Sequence, residues 1–354
     1  MHFLSPSEHD LWISLERDIR AHSLKPGEIE LPMRPHMVPM FHYHMGALWC
    51  LSGDVPLGRA WFNAGVLIEQ EGVMSNGFMS SFLERNNGMY VPPVVVFEDP
   101  RPYMHFITMP IMQSARAAFL KQLENTLPRF EHPVRIMDIG CGDGSLTAEM
   151  LDRLRSSGKV DEYSEVLLID GSAGMIEMAR KLVAGHAPDS AVKSSVHRIE
   201  EISDQITGKY DIVVSSLAYH HMPWEKKVQH LTNLRPHFEN IIFFDLDANN
   251  DTPELGTPEL SVSVFQSYGR LMDFVFAHDT SIELAVSCVD QFLVPEVISL
   301  LTEKRGRRRD YHMLRSQWHQ LQQEVLGPEF TCWSDSLSYA DEYIGLFTMH
   351  YGRS

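Results

Sequence analysis

The sequence predicts an α/β fold, a sheet of mainly parallel strands with helices on both faces, behind a mostly helical N-terminal cap. Three observations predict it. The run Val134-Arg135-Ile136-Met137-Asp138-Ile139-Gly140-Cys141-Gly142-Asp143-Gly144 is a short apolar strand that ends in an acid and enters a glycine turn. Leu146, Met150, Leu151 and Leu154 follow at helical spacing, so the three parts read as strand, turn and helix. Further apolar runs then alternate with helical patterns up to about residue 250, as a βαβ sheet requires. Before residue 130 no such alternation exists.

Taken in order, Ser7 is expected to cap a first helix carrying Leu11, Trp12, Leu15 and Ile19, with Glu8 and Asp10 in its first turn. A proline-broken stretch spans Pro26 to Pro39. Met40, Phe41, Tyr43, Met45, Trp49, Trp61 and Phe62 then form an aromatic and methionine-rich run. Phe78, Met79, Phe82 and Leu83 lie at helical spacing, Pro92-Pro93 breaks the chain, and a helix is expected from about Pro110 to Leu127. Residues 1–128 therefore form the cap and residues 129–354 the sheet domain, entered through Pro128-Arg129-Phe130. The expected strands are Val134–Ile139, Val166–Asp170, Ser195–Glu200, the run from Tyr210, and Ile241–Asp247. A turn-rich segment, Ala248–Pro258, opens a helical insertion at about 250–310. A last helix around Trp318 and a final buried strand, Tyr343–Met349, close the chain.

The glycine turn also bears on the ligand. A dinucleotide fingerprint would place its third glycine at 145, which is Ser145; here Gly144 gives D-x-G-x-G-x-G. Ionised Asp138 and Asp143 cannot donate to a pyrophosphate, whereas a ligand with a cationic centre and an amino group accepts them. On these residues the chain resembles the class I S-adenosylmethionine (SAM) dependent methyltransferases, over about residues 130–250 and more loosely over 311–350. The resemblance implies a Rossmann-like seven-stranded sheet and SAM as cofactor, held by Asp138, Gly140, Gly142 and Asp143. It adds Asp170 at the second strand end, whose carboxylate can accept both ribose hydroxyls, then Gly171 and Met175. Asp170 lies further past Gly144 than the usual roughly 20 residues, an excess explained by a loop at Ser156–Lys159. Past the third strand, Ile199 and Glu200 are expected beside the adenine; relatives often carry an aspartate where Arg198 falls here.

The loop after the fourth strand, Ser215-Ser216-Leu217-Ala218-Tyr219-His220-His221-Met222-Pro223, should face the methyl donor, because ligands of open α/β sheets bind outside the carboxyl strand ends. Ser216 and Leu217 are assigned to the cofactor. His220 and His221 are candidates to orient or deprotonate an acceptor, since histidine transfers protons near neutral pH. They also read as the start of the next helix. Tyr43, Trp49 and Trp61 either form the cap's own core or line a pocket over the sulfonium, which aromatic faces attract. Such a cap would exclude water from the reaction.

The 354-residue chain has 44% hydrophobic residues and a net charge of −17. That charge argues against a nucleic-acid partner, which needs a basic surface. The cluster Lys304-Arg305-Gly306-Arg307-Arg308-Arg309 reads as a solvated loop or an anion grip. No run approaches the roughly 18 apolar residues of a membrane span, and the first residues lack a signal-peptide pattern. Cys50, Cys141, Cys288 and Cys332 are scattered without disulfide or zinc spacing. His42-x-His44 and His220-His221 lack an acidic partner at defined spacing, so no metal is expected. A cytoplasmic enzyme acting on a small molecule, with neither nucleic acid nor membrane as partner, is the expected class. The leading function is methylation of a small molecule in specialised-metabolite biosynthesis. One alternative is a SAM-consuming cyclase resembling the azetidine-2-carboxylate synthases, which expel methylthioadenosine. Another is a catalytically silent SAM-binding protein. The residues leave oxygen, nitrogen and carbon acceptors open.

Overall fold

A computed structural model describes residues 1–92, 101–202 and 206–354. The expected break at Pro92-Pro93 thus lies partly outside the described residues. In chain order the helices α1 (Pro6–His22), α2 (Val38–Leu51), α3 (Val55–Val66), α4 (Ser75–Arg85), α5 (Arg101–Thr108) and α6 (Pro110–Thr126) come first. The sheet region follows as β1 (Val134–Ile139), α7 (Ser145–Ser156), β2 (Tyr163–Asp170), α8 (Ala173–Val183), β3 (Val192–Val196), α9 (Ile199–Ile202), β4 (Tyr210–Ser216), α10 (Trp224–Leu234) and β5 (Phe238–Asp247). Then come α11 (Pro258–Ala277), α12 (Ile282–Phe292), α13 (Val294–Thr302), α14 (Arg315–Leu326), β6 (Phe330–Ala340) and β7 (Gly345–Arg353).

The chain forms two compact units. One comprises Met1–Met112, Ala248–Tyr311 and Asp341–Ile344; the other comprises Gln113–Asp247, His312–Ala340 and Gly345–Ser354. The division falls inside α6, earlier than residue 128, and the segment after β5 joins the N-terminal helices. In this helical unit α2 is buried from Pro39 to Cys50, and a helix apolar on every side becomes the centre of a core. It packs against α3 and α11. Phe41 meets Trp12 and Trp61 edge-on, and Tyr43 meets Phe62 and Phe265. The first helix is capped by Ser5, not Ser7: Ser5 Oγ accepts the Glu8 N–H while the Glu8 carboxylate accepts the Ser5 N–H. Pro6 at the first helical position, with φ preset and no N–H to satisfy, starts the helix two residues early.

The second unit holds a seven-stranded sheet in the order β3-β2-β1-β4-β5-β7-β6. Strands β1 to β5 are parallel, and β7 runs antiparallel between β5 and β6. The order reverses at β1, so the crevice lies between the carboxyl ends of β1 and β4, where open α/β sheets take ligands. Strand β3 begins and ends earlier than expected. Val192-Lys193-Ser194-Ser195-Val196 is a half-exposed edge strand, and Ile199 and Glu200 instead start α9. One face of the sheet buries Met137, Val213, Ile241, Phe243, Met313, Trp318 and Phe347 in a single cluster. Among the described residues, no single helix is long and apolar enough to cross a membrane.

The basic cluster departs from its expected solvated state within the helical unit. Arg308 is buried and donates to the carbonyls of Asn250, Pro253 and Glu303. Arg305 pairs with buried Asp251 at 2.8 Å. Most of these acceptors belong to the segment after β5, so the two guanidiniums hold its start, while Lys304, Arg307 and Arg309 remain exposed.

Candidate functional site

The turn after β1 is built by hydrogen bonds that leave little room for side chains. The N–H groups of Gly140 and Cys141 both donate to Ile169 O at the end of β2, at 2.8 and 3.0 Å. Gly140 has φ +77°, and a Cβ there would lie 2.3 Å from Ala218 Cβ. Gly144, at φ +78°, caps α7, and its Cβ would meet Ala179 Cα of α8 at 2.8 Å. Glycine is thus required at both places by left-handed backbone and by close approach.

Asp170 completes the turn from the β2 end. Its Oδ2 accepts the Gly142 N–H at 3.0 Å and its Oδ1 the Ser172 N–H at 2.8 Å. Ser172 then caps α8 by accepting from Met175 N. Gly171, between them, has only Arg198 among the described residues near the place of an added Cβ, at ordinary contact distance. Asp143 Oδ1 accepts both the N–H and the hydroxyl of Ser145, and buried Arg116 donates to the same hydroxyl at 2.6 Å.

Asp138 is the electrostatic centre of this edge. It is 3% exposed, and burial raises its pKa to about 6, against the lowering effect of the Thr147 hydroxyl, with nearby Asp170 adding to the rise. Thr147 Oγ1 donates to Asp138 Oδ2 at 2.5 Å. Asp138 Oδ1 is buried and has no hydrogen-bond partner among the described residues. A buried carboxylate oxygen without a donor is costly, and a ligand amino group is the kind of donor that satisfies it. Cys141 lies in the same turn, but burial and the neighbouring acids push its thiol far above its ordinary range, so it is no nucleophile.

The fourth strand delivers the second half of the site. Ser216 is its last residue. Leu217 follows in the left-handed region at φ +49°, an uncommon conformation for a branched side chain, with its N–H on Phe244 O at 2.8 Å. Tyr219 and Met222 turn back into the core, where Tyr219 packs on Phe243 and Trp318 and its hydroxyl lies 2.8 Å from His230 Nδ1. These anchors fix the short turn Tyr219–His221. His220 is buried, His221 is exposed, and their rings lie 4.1 Å apart. Burial, followed by the charges possible on His221, His312 and Lys227, holds the His220 pKa well below the ordinary histidine value. His220 also stacks on His312 at 4.1 Å. His312 Nδ1 lies 2.9 Å from Asp245 Oδ1.

The sheet unit therefore brings together Asp138, Gly140, Gly142, Asp143, Asp170, Gly171, Met175, Ser216, Leu217, His220 and His221 along the carboxyl ends of β1, β2 and β4. Ile199 is buried and Glu200 exposed, both on α9 past β3. Tyr43 and Trp49 belong to the helical unit, on buried α2, and burial sends the Tyr43 hydroxyl pKa far up. His42 and His44 belong there too: His42 Nδ1 lies 2.9 Å from Val38 O, and His44 lies 2.9 Å from Ser261 Oγ and 3.4 Å from Glu16. Sequence reasoning missed Thr147, Arg116, Asp245 and His312. Thr147 carried a signal, as a hydroxyl on the first turn of the helix that follows an acid-ended strand.

The strand order with antiparallel β7, and the glycine turn closed by an acid at the end of β2, give the sheet unit the Rossmann-like architecture that the sequence resemblance implied. Residues 136–239 match the family described as a methyltransferase domain. A non-reducing polyketide synthase of Penicillium shearii is 30% identical over 103 residues, which are 29% of this chain and 4% of that protein. The chain thus spans a small fraction of that relative's length. Among solved structures, a magnesium protoporphyrin IX methyltransferase from Synechocystis PCC 6803 with bound SAH is 15% identical, over 78% of this chain and 96% of its own, at a TM-score of 0.40. A DhpI–SAH complex is 13% identical over 72% and 92%, at a TM-score of 0.43. The plantazolicin methyltransferase BpumL with SAH is 13% identical over 97% and 100%, at a TM-score of 0.37.

Proposed function

We propose that this protein binds SAM at the β1–β2 edge and transfers its methyl group to a small molecule held near the loop after β4. The observation that carries the reading is the buried, unpartnered Oδ1 of Asp138 beside a glycine turn. That oxygen suits the ammonium group of SAM. Asp170, at the β2 end, suits the ribose hydroxyls, and its bonds to Gly142 and Ser172 already aim its carboxylate. Gly171, Met175, Ile199 and Glu200 are proposed around the adenosine, and Ser216 and Leu217 beside the methionine part.

Methyl transfer from a sulfonium is an in-line displacement. The acceptor's electron pair forms the new bond to carbon as the carbon–sulfur pair returns to sulfur, leaving S-adenosylhomocysteine. Holding donor and acceptor close and aligned supplies much of the acceleration. The loop with His220 and His221 is proposed to handle the acceptor. The net charge of −17 favours a small molecule over nucleic acid as substrate, and a role in specialised metabolism belongs to this proposal.

The test is to incubate purified protein with SAM, first alone and then with candidate acceptors, and to separate the adenosine products by chromatography. S-adenosylhomocysteine formed in an acceptor-dependent manner is the expected result. Methylthioadenosine formed without acceptor would overturn methyl transfer in favour of cyclisation of SAM's own side chain. Tight SAM binding without turnover against any acceptor would favour a silent binding protein.

A further inference from the structure

His220, Asp245 and His312 come from three separate parts of the sheet unit and converge at one place. His220 is set by the turn after β4, which Tyr219 and Met222 anchor in the core. Asp245 lies near the carboxyl end of β5, two residues from Phe243 and therefore on the same face of the strand. His312 is held by its neighbours: Met313 is in the core cluster, and the N–H of Arg315 donates to Asp247 Oδ1 at 2.9 Å. All three side chains are buried, at 7%, 2% and 5% residue exposure. One ligating atom from each lies within 4.8 Å of the other two.

We propose that His220, Asp245 and His312 form a binding site for a divalent first-row transition ion, with two imidazole nitrogens and one carboxylate oxygen as ligands. Bonds of about 2.0–2.2 Å place neighbouring ligand atoms roughly 2.9–3.4 Å apart around such an ion. The separations from Asp245 Oδ1 are 2.9 Å to His312 Nδ1 and 3.9 Å to His220 Nδ1. The first matches, and the second closes by a small swing of the His220 ring. Two imidazoles with one carboxylate select zinc or iron(II) over magnesium or calcium, which take oxygen ligands. Three protein ligands leave coordination positions open, the arrangement of a catalytic rather than a structural site. The electrostatics agree: the Leu246 N–H donates to Asp245 Oδ1 at 2.8 Å, and a dication neutralises the buried carboxylate with one positive charge to spare. An anionic or ionisable oxygen ligand would balance that charge.

Placement gives the ion its use. The site lies at the carboxyl ends of β4 and β5, on the opposite side of the β1–β4 crevice from Asp170. In this position it would bind an oxygen-bearing acceptor rather than the cofactor. That role rests on the methyl-transfer reading, whereas binding of the ion does not.

Full-length protein freed of metal by a chelator should bind one equivalent of zinc in calorimetry. With cobalt(II) it should develop visible absorption bands of a nitrogen- and oxygen-ligated ion. Asp245→Asn and His312→Gln should each abolish stoichiometric binding while SAM affinity, measured on the same samples, stays at the wild-type value. SAM binding also certifies that the variants are folded. Absence of a one-equivalent zinc or cobalt site in the wild type would overturn the proposal, as would unchanged binding by both variants. A metal site in a protein that fails every acceptor test would sustain this inference and sink the methyl-transfer reading.

Discussion

Replacing Gly140 by alanine tests the physical basis of the glycine turn. Two costs arise. The left-handed backbone at φ +77° penalises an L side chain by about 1–2 kcal/mol. The new Cβ would also lie 2.3 Å from Ala218 Cβ, where carbon atoms ordinarily rest roughly 3.5–4.0 Å apart. Neither partner yields easily. Gly140 N–H is tied to Ile169 O at 2.8 Å, and the residue before Ala218 is tied to Phe244 O at 2.8 Å. Overpacking of this kind costs about 1–3 kcal/mol. The single variant should therefore lose roughly 2–5 kcal/mol and its SAM affinity. The informative comparison is the double variant, Gly140→Ala with Ala218→Gly. Removing the opposing Cβ relieves the overlap but leaves the backbone penalty, so the double-mutant cycle should show a favourable coupling of about 1–3 kcal/mol. Urea unfolding followed by circular dichroism measures all four proteins. Additivity within about 0.5 kcal/mol would refute the claim that Ala218, at the start of the histidine loop, is what the turn glycine avoids.

Two further outcomes follow from buried acids. Thr147→Val keeps the shape of the side chain but removes the donor to Asp138 Oδ2; it should destabilise the protein by about 1–3 kcal/mol in the same urea assay and weaken SAM binding. Glu69, in the helical unit, accepts the N–H groups of Asn76 and Gly77, yet burial outweighs these bonds and raises its pKa from 4.5 to about 7. Its folded pKa is the higher one, so its contribution to stability is greatest below pH 4.5 and is lost as pH rises through 7. Glu69→Gln does not ionise. The stability difference between wild type and this variant should shift against the wild type by roughly 1–2 kcal/mol across that window, allowing for partial exposure, and thermal melts from pH 4 to 8 would show a flat difference if Glu69 does not titrate there.

The turn, β1, β2, β4 and the start of α7 were legible because each is written in contiguous residues: apolar runs, a terminal acid, then glycines. The edge of the sheet was less so. Strand β3 has two serines and a lysine among its five residues and is half-exposed, so little apolar alternation marks its start, and the expectation slid towards Ile199. The first helix is capped by Ser5 rather than Ser7: two serines flank one proline, and the reciprocal bond to Glu8 decides between them. Charge runs misled in a different way: Arg305 and Arg308 look solvated in a row of basic residues, yet carbonyls and an acid from the segment after β5 were waiting for them.

The side of the crevice at β4 and β5 shows the deepest limit, and it follows from the fold. In this sheet the carboxyl ends of successive parallel strands are separated in the chain by a helix and its loops, so functional groups meet across long stretches of sequence. His220 was visible as a pair with His221, and read as a pair it lacked the acid that a metal site needs. The acid is Asp245, on the adjacent strand β5, and the second imidazole is His312, which enters only after the whole segment that belongs to the helical unit. No spacing rule connects three such positions. What connects them is register: β4 pairs with β5 so that Ser216 lies opposite Phe244, which sets the β4 loop beside Asp245. The bond from Arg315 to Asp247 then brings the entry to α14 to the same strand end. One member of a histidine pair weak as a motif, His220, thus joins, through pairing of β4 with β5, a buried cluster of two imidazoles and a carboxylate.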